Sequence, residues 1–292
     1  MKIQSECVPC LIKRIIFETQ LSTEKKEIQT NVIKNTCKVL SEIYDPGISS
    51  AEIATKVHKL AYEILGDEDP YYDLKNISNE VAKSLIPKTE EILKKSDDPL
   101  KASMLCSIIG NILDFGIEGA SSNPKKFSEI FDRLYSEGLG HDDYIKVKEL
   151  IDKSKNLTYF CDNCGEIVFD RVVCRELKKF NPKIQINLVV RGKPIISDAT
   201  IEDADELNFS DIVDNIFTTG CFAIGVNFEK MPVELKKELT RSDIILCKGM
   251  ANYEAFSETN YSPIVYLLRT KCNAIANSMN LPINQNVIKL YE

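Results

Sequence analysis

The stretch Leu157-Thr158-Tyr159-Phe160-Cys161-Asp162-Asn163-Cys164-Gly165-Glu166 decides how this chain is read. Its first half is a short apolar run of strand length, and Asp162-Asn163 ends it. A helical pattern then runs from Glu166 to Phe180, and Ile184 to Val190 is a second strand-like run. Strand, tight turn, helix and strand again is the repeating unit of a layered, largely parallel sheet. Working outward, Ile195-Ile196 reads as a short third strand, and Asn215 to Thr219 as a fourth. Asp243 to Cys247 reads as a fifth and Pro263 to Leu268 as a sixth, with a helix over Pro232 to Leu239. These runs hold few polar positions, which predicts strands buried on both faces.

Towards the amino terminus the pattern is helical. Leu11, Arg14, Ile15 and Phe17 begin it. Ser22 or Thr23 then caps a helix to Ile43, with Ile28, Val32, Ile33, Cys37, Leu40 and Ile43 as its buried stripe. Ser49 or Ser50 caps another through Leu65, stopped by Gly66. Pro70, Pro87, Pro99 and Asn123-Pro124 open further helices, the third of these reaching Phe115 and the last ending near Gly138. No strand is expected before residue 155. The expected architecture is α/β. A helical part, residues 1–150, packs on a Rossmann-like, largely parallel sheet, residues 151–292, with helices on both faces in three layers. The two parts can form one compact unit.

Composition excludes several classes. The 292 residues carry 37 Lys+Arg against 44 Asp+Glu, a net charge of -7. That excess is spread over both halves and leaves no basic footprint for nucleic acid. No apolar run approaches the roughly 18 residues of a membrane span. Residues 1–7 lack the apolar core of a signal peptide, so a cytoplasmic protein is expected. Ten cysteines in a chain 43% apolar do not suggest a disulfide scaffold. Most single cysteines are expected to be small core residues. Of two C-x-x-C pairs, Cys7/Cys10 stays open between redox, half of a zinc site, and packing; Cys161/Cys164 is an awkward second half, since Asp162 between them should point into the cleft.

In a doubly wound sheet, ligands bind beyond the carboxyl ends of the strands. The residues there are Asp162 and Asn163, Asp198, Thr218-Thr219-Gly220, and Lys248-Gly249. Hard oxygen donors suit Mg²⁺ or Mn²⁺. A lysine and the amides of a glycine turn suit a phosphate. Each element also has a plainer reading. Asp162-Asn163 can be a turn or helix cap, Asp198 can cap the following helix, and Lys248 can be a solvated lysine. The conjunction at several strand ends favours a metal-assisted phosphoryl site.

At these residues a resemblance becomes specific. Residues 162–170, with Asp162, Asn163, Gly165, Glu166 and Asp170, resemble the D-N-x-G-E-x-x-x-D signature of the damage-control phosphatase family, also called ARMT1-like or DUF89. Gly192-Lys193-Pro194 through Asp198-Ala199-Thr200 and Asp203-Ala204 resemble a second block of that family. Lys248-Gly249-Met250-Ala251-Asn252-Tyr253-Glu254 resembles a third. Cys7-Val8-Pro9-Cys10 and the Gly110-Asn111 to Asp114 segment resemble features of its short, mostly prokaryotic subfamily. The matches span residues 7–254 in family order. Cys164 departs from the pattern, standing where a small residue such as Ala is usual, and Cys161 is also unusual there.

The resemblance implies a metal-dependent phosphatase of small phosphorylated metabolites, such as sugar phosphates, phosphopantetheine-type compounds or damaged metabolites. By motif, Asp162, Asn163 and Asp198 would hold one divalent cation (Mg, Mn, Co or Ni). Lys248 would bind phosphate, helped by the Thr219-Gly220 amides, with Asn111, Asp114 and Asn252 near the substrate. A metal-activated water would attack phosphorus, oriented by Glu166, while Asp170 would be supporting. A covalent phosphate on Asp162 is the mechanistic runner-up. Two other functions are weighed: a protein carboxyl methyltransferase and a non-catalytic metal- or nucleotide-binding module. Only one glycine follows the first strand, which disfavours a methyl-donor loop. The complete Asp, Asn, Asp and Lys set disfavours a dead site. No membrane or nucleic-acid partner is expected, and no signal for an oligomer is present.

Overall fold

The computed structural model describes residues 1–113 and 124–292. Six helices open the chain: α1 (Cys7–Ser22), α2 (Lys26–Ile43), α3 (Ser50–Leu65), α4 (Tyr72–Ser84), α5 (Ile86–Lys95) and α6 (Pro99–Gly110). A 3₁₀ turn, Asn111–Leu113, follows α6. Then come α7 (Pro124–Glu137), β1 (His141–Asp142), α8 (Tyr144–Lys153), β2 (Asn156–Phe160), α9 (Glu166–Phe180) and β3 (Gln185–Val190). The chain continues through α10 (Ile201–Glu206), β4 (Asn215–Thr218), α11 (Val233–Arg241), β5 (Ile244–Lys248) and α12 (Gly249–Phe256). It ends with β6 (Ile264–Arg269), α13 (Asn273–Met279) and β7 (Asn286–Tyr291).

Local chemistry sets these boundaries. Gly66 takes a left-handed conformation at φ 65° and stops α3, a place where a side chain would be strained. Asp98 caps α6 by accepting from the Lys101 N–H at 3.2 Å, with Pro99 at the first turn. Along α3, Ile53, Val57 and Ala61 recur every four residues and are buried, so α3 presents one apolar face to its neighbours α1 and α2.

The strands form one sheet in the order β1-β7-β6-β5-β2-β3-β4. All the pairs are parallel except β6 with β7. Side chains alternate across the sheet, as a period of two requires. Leu157, Tyr159, Leu188, Leu246 and Leu267 enter one core layer, which includes α6 and α9. Phe160, Val189, Ile245, Cys247 and Tyr266 enter the other, with Leu235 of α11 and Phe256 of α12. Helices therefore cover both faces, and β2, β3, β5 and β6 are buried almost throughout. The first core layer also contains Val81, Leu105 and Phe131, so the helical part and the sheet share it.

Several elements differ from expectation. Ile195-Ile196 is a tight turn, not a strand: Ile196 has φ 49° and its N–H donates to the Tyr62 hydroxyl at 3.0 Å. The turn brings Asp198 back against Asn163, with which it forms an antiparallel bridge. A two-residue strand, β1, precedes residue 155, and α8 follows it on a buried stripe of just Tyr144, Val147 and Ile151. The helix predicted to reach Phe115 ends as α6 at Gly110, and Phe115 lies outside the described residues. α12, α13 and β7 are additional. β7 is held by its antiparallel partner β6 and has only three buried positions, a weak signal in sequence.

Candidate active site

The order of the strands creates the site. β2 and β5 are neighbours at the centre of the sheet, yet the helices that follow them leave on opposite faces: α9 joins the first core layer and α12 the second. A crevice opens at such a switch point, beyond the strand carboxyl ends. Asp162 and Asn163 leave β2 there, and Lys248 ends β5. Arg191 follows β3, and the turn at 195–197 returns Asp198 to the same place.

Neither Asp162-Asn163 nor Asp198 is spent on capping. Gly165, at φ 78°, is the N-cap of α9, and its N–H donates to Asn79 Oδ1 at 2.6 Å. Thr200 caps α10, its N–H donating to Asp203 Oδ2 at 2.9 Å. The three predicted ligands are instead buried together. Asn163 Nδ2 donates to Asp162 Oδ2 at 2.8 Å, and the Ser197 hydroxyl donates to Asn163 Oδ1 at 2.7 Å. Arg191 ties both carboxylates: Nη2 donates to Asp162 Oδ1 at 3.2 Å and Nε to Asp198 Oδ2. Its Nη1 donates to Asn252 Oδ1 at 2.9 Å, while Asn252 Nδ2 holds the Cys161 and Lys248 carbonyls at 3.0 and 2.7 Å.

A second layer of charge lies beside the first. Lys248 is fully buried and donates to Glu166 Oε1, with Asp170 Oδ1 at 3.1 Å. Asp170 also accepts from the Ser107 and Tyr159 hydroxyls at 2.6 and 2.8 Å. Asn111, at the end of α6, joins the layers, donating to Glu166 Oε2 at 2.7 Å and Asp162 Oδ2 at 3.2 Å. Lys271, just past β6, donates to the Asn111 carbonyl.

Burial and crowding shape the electrostatics. Removal from water, then the charges of Asp198 and Glu166, push the Asp162 carboxyl well above its ordinary range, against the pull of Arg191 and Lys271. Burial also raises Glu166, although Lys248 opposes it. Burial works against the Lys248 ammonium, but Asp170 and Glu166 outweigh it and raise its pKa. Four buried carboxylates, Asp162, Glu166, Asp170 and Asp198, outnumber the two buried cations Arg191 and Lys248. Among the described residues no group of three or more His, Cys, Asp or Glu is arranged as a metal cluster. The donor set here is two carboxylates and a carboxamide, all hard oxygens in a site short of positive charge, and it fits a divalent cation.

Asp162, Asn163, Asp198, Asn111 and Lys271 line one cavity of about 530 Å³. A second cavity of about 780 Å³ adjoins it, sharing Met1, Glu6 and Ala274; Tyr253, Tyr261, Tyr266 and Tyr291 wall it, and it holds none of these groups. The other expected residues fall differently. Lys248, Glu166 and Asn252 are buried beside the cavity rather than on its wall. Thr219 and Gly220 follow β4 and do not line it; the Thr219 hydroxyl accepts from the Gly192 N–H at 2.9 Å. Asp114 lies outside the described residues. Cys7 and Cys10 do line the cavity, together with Cys272, and none of the three is in a disulfide. Cys161 and Cys164 are core residues, and the Cys164 thiol donates to Asp203 Oδ1 at 3.2 Å. Sequence reasoning missed Arg191 and Lys271. Both sit just past a strand, β3 and β6, so the strand-end rule applied to every strand would have found them.

Comparison with known proteins identifies the family of this fold. A family profile described as "Damage-control phosphatase ARMT1-like domain" matches residues 3–287. A protein named damage-control phosphatase from Archaeoglobus fulgidus is 39% identical over 292 residues, covering all of both chains. An uncharacterised protein of Methanocaldococcus jannaschii is 34% identical, covering 99% of this chain and 95% of the relative. The crystal structure of a DUF89 family protein from Pyrococcus horikoshii superposes with a TM-score of 0.90 at 26% identity, covering 100% of each chain. Relatives bearing that name support a phosphatase role. With its profile matched almost end to end and its carboxylates gathered at the switch point, the chain belongs to the damage-control phosphatase ARMT1-like family.

Proposed function

We propose that this chain is a divalent-metal-dependent phosphatase of small phosphorylated metabolites. The observation that carries the reading is the convergence of Asp162, Asn163 and Asp198 on one cavity with Lys271 and Asn111. Asp162, Asn163 and Asp198 would hold the cation, whose Lewis acidity supplies charge neutralisation at the phosphoryl group and an activated water. Arg191 keeps both carboxylates aimed and cancels part of their repulsion. Lys271 can meet phosphoryl oxygens from the cavity side, whereas the Asn111 amide is spent on Glu166 and Asp162 and holds the two carboxylates in place. Glu166 is held by Lys248 and Asn111 behind the cavity wall, so it acts through Asn111, which it keeps against Asp162. The role of Lys248 is thus to position Glu166. Asp170 secures Lys248 in turn.

The test is a screen of phosphate release from a panel of small phosphoesters, run anaerobically with Mg²⁺, Mn²⁺, Co²⁺ and Ni²⁺ in turn. At least one metal should support hydrolysis that is lost in Asp198→Asn. Protein that binds the metal and leaves every ester intact overturns the reading.

A further inference from the structure

One buried ionisable pair beside the cavity has no part in the cluster of Asp162, Asn163 and Asp198. Glu18 is fully buried on the inner stripe of α1, three residues past Ile15 and seven past Leu11, where an apolar side chain is the rule. Its Oε1 lies 2.7 Å from Nδ1 of His58 on α3. Neither that nitrogen nor either Glu18 oxygen has an aligned hydrogen bond among the described residues. A carboxylate taken from water without donors needs a cation, and the imidazolium form of His58 supplies it. His58 is 1% exposed yet lines the cavity, whereas Glu18 does not. Nδ1 is therefore turned inward, and Nε2 is the nitrogen left for the cavity. The helix also sets where along the wall it stands. Ser50, Ala54 and His58, spaced by four, form the α3 side of the cavity. One turn further, the Tyr62 hydroxyl accepts the Ile196 N–H at 3.0 Å, in the turn that returns Asp198 to Asn163. His58 thus closes the α3 wall at the Asp198 end.

We propose that His58 is the general acid of the hydrolysis, with Glu18 as its positioning residue. This rests on the phosphatase reading and adds a catalytic residue to that site. As water adds to phosphorus, the bond from phosphorus to the ester oxygen breaks and its electron pair stays on that oxygen. The proton on His58 Nε2 passes to it, so the leaving group departs as an alcohol and the imidazole is left neutral. The product phosphate releases to solvent one of the protons that the water brought, and His58 takes one up to close the cycle. Glu18 fixes which nitrogen faces the substrate and balances the imidazolium charge, as the carboxylate of a Ser-His-Asp triad does.

Leaving groups of different basicity test it. A p-nitrophenolate departs without a proton, whereas an alkoxide needs one. The probes are p-nitrophenyl phosphate and a set of alkyl phosphates that includes glycerol 3-phosphate and glucose 6-phosphate, with the metal that the phosphoester screen selects. On an alkyl ester that wild type cleaves, His58→Ala should lose roughly 100-fold or more in kcat, and its loss on the aryl ester should be at least tenfold smaller. Glu18→Gln, which keeps the histidine and the side-chain size, should shift the same ratio in the same direction. Added imidazole should restore alkyl-ester turnover to His58→Ala, which a merely structural role would not allow. Because the readout is a ratio within one preparation, it is independent of the fraction of folded protein. Equal losses on both kinds of ester, alkyl turnover that imidazole leaves unchanged, or a wild type that cleaves the aryl ester and no alkyl ester overturns the proposal. Hydrolysis of no ester with any metal instead removes the phosphatase reading beneath it, a distinct result.

Discussion

A β-carbon added to Gly249 would lie 1.8 Å from Oδ2 of Asp162, a separation no structure tolerates. Gly249 also has φ 69°, a conformation costly for any side chain. The first residue of α12 is therefore glycine so that the backbone can pass the carboxylate. Gly249→Ala should displace Asp162 and cost about 1–3 kcal/mol in backbone strain alone. Metal-supported hydrolysis should fall by roughly 100-fold, on the scale of misplacing a reacting group by an ångström. Steady-state kinetics with urea melts check both numbers, and a variant of wild-type activity would refute this account of the close approach.

Arg191 is the buried counter-charge of Asp162 and Asp198. Arg191→Met leaves two carboxylates facing each other without it, so metal-free protein should lose about 3–5 kcal/mol. A saturating divalent cation should restore much of this, because it binds the folded site alone. Denaturant melts with chelator and with Mn²⁺ measure the difference, and equal losses in both would contradict the role.

Lys248 and Glu166 form a buried pair in contact with Asp170. Lys248→Met should destabilise by about 3–5 kcal/mol, whereas Lys248→Met/Glu166→Gln should cost less, since the second change removes one stranded charge. A double-mutant cycle in urea reads the coupling. Additive losses would mean that the two groups do not act as a pair.

The Asp162 carboxyl has its folded pKa raised, chiefly by burial and then by Asp198 and Glu166. Between the ordinary value of 3.8 and that raised value, the folded state binds more protons than the unfolded state. Its contribution to stability therefore falls as pH rises through this window. Metal-free wild type should lose stability relative to Asp162→Asn, which cannot titrate, as pH rises above the ordinary carboxylate range. Parallel melts in chelator across that range test the sign, and a rising difference would contradict it.

The Cys7/Cys10 pair lines the cavity without belonging to any grouping of metal ligands among the described residues. Burial raises the Cys7 thiol, and it raises Cys272 to about 11, so neither is a ready thiolate near neutrality. Zinc content measured on wild type and on Cys7→Ser/Cys10→Ser should therefore be equal. A loss of bound zinc in the variant would restore the zinc reading.

How much of this was legible depended on the kind of signal each residue gives. Strands β2, β3 and β5 are nearly continuous apolar runs because helices cover both faces, so they stand out. Asp162, Asn163 and Lys248 follow directly from those runs. Asp198 was found as well, though by way of a strand at 195–196 that proved to be a turn. The inward burial of Lys248 could not be read, because a lysine at a strand end looks the same whether it faces a cavity or a carboxylate. Lys271 stands two residues past the end of β6, a position that the strand-end rule also covers. The helix α8 was missed because its buried stripe is three residues long, below what periodicity resolves.

The central claim is that Asp162, Asn163 and Asp198 hold one activating cation. It is tested most directly by titrating metal-stripped protein with Mn²⁺ while following phosphate release from an ester that the screen identifies. Activity should be absent in chelator, saturate at one equivalent of metal per chain, and be lost by at least about 100-fold in both Asp162→Asn and Asp198→Asn. Full hydrolysis in excess chelator, or either variant turning over at the wild-type rate, would contradict it.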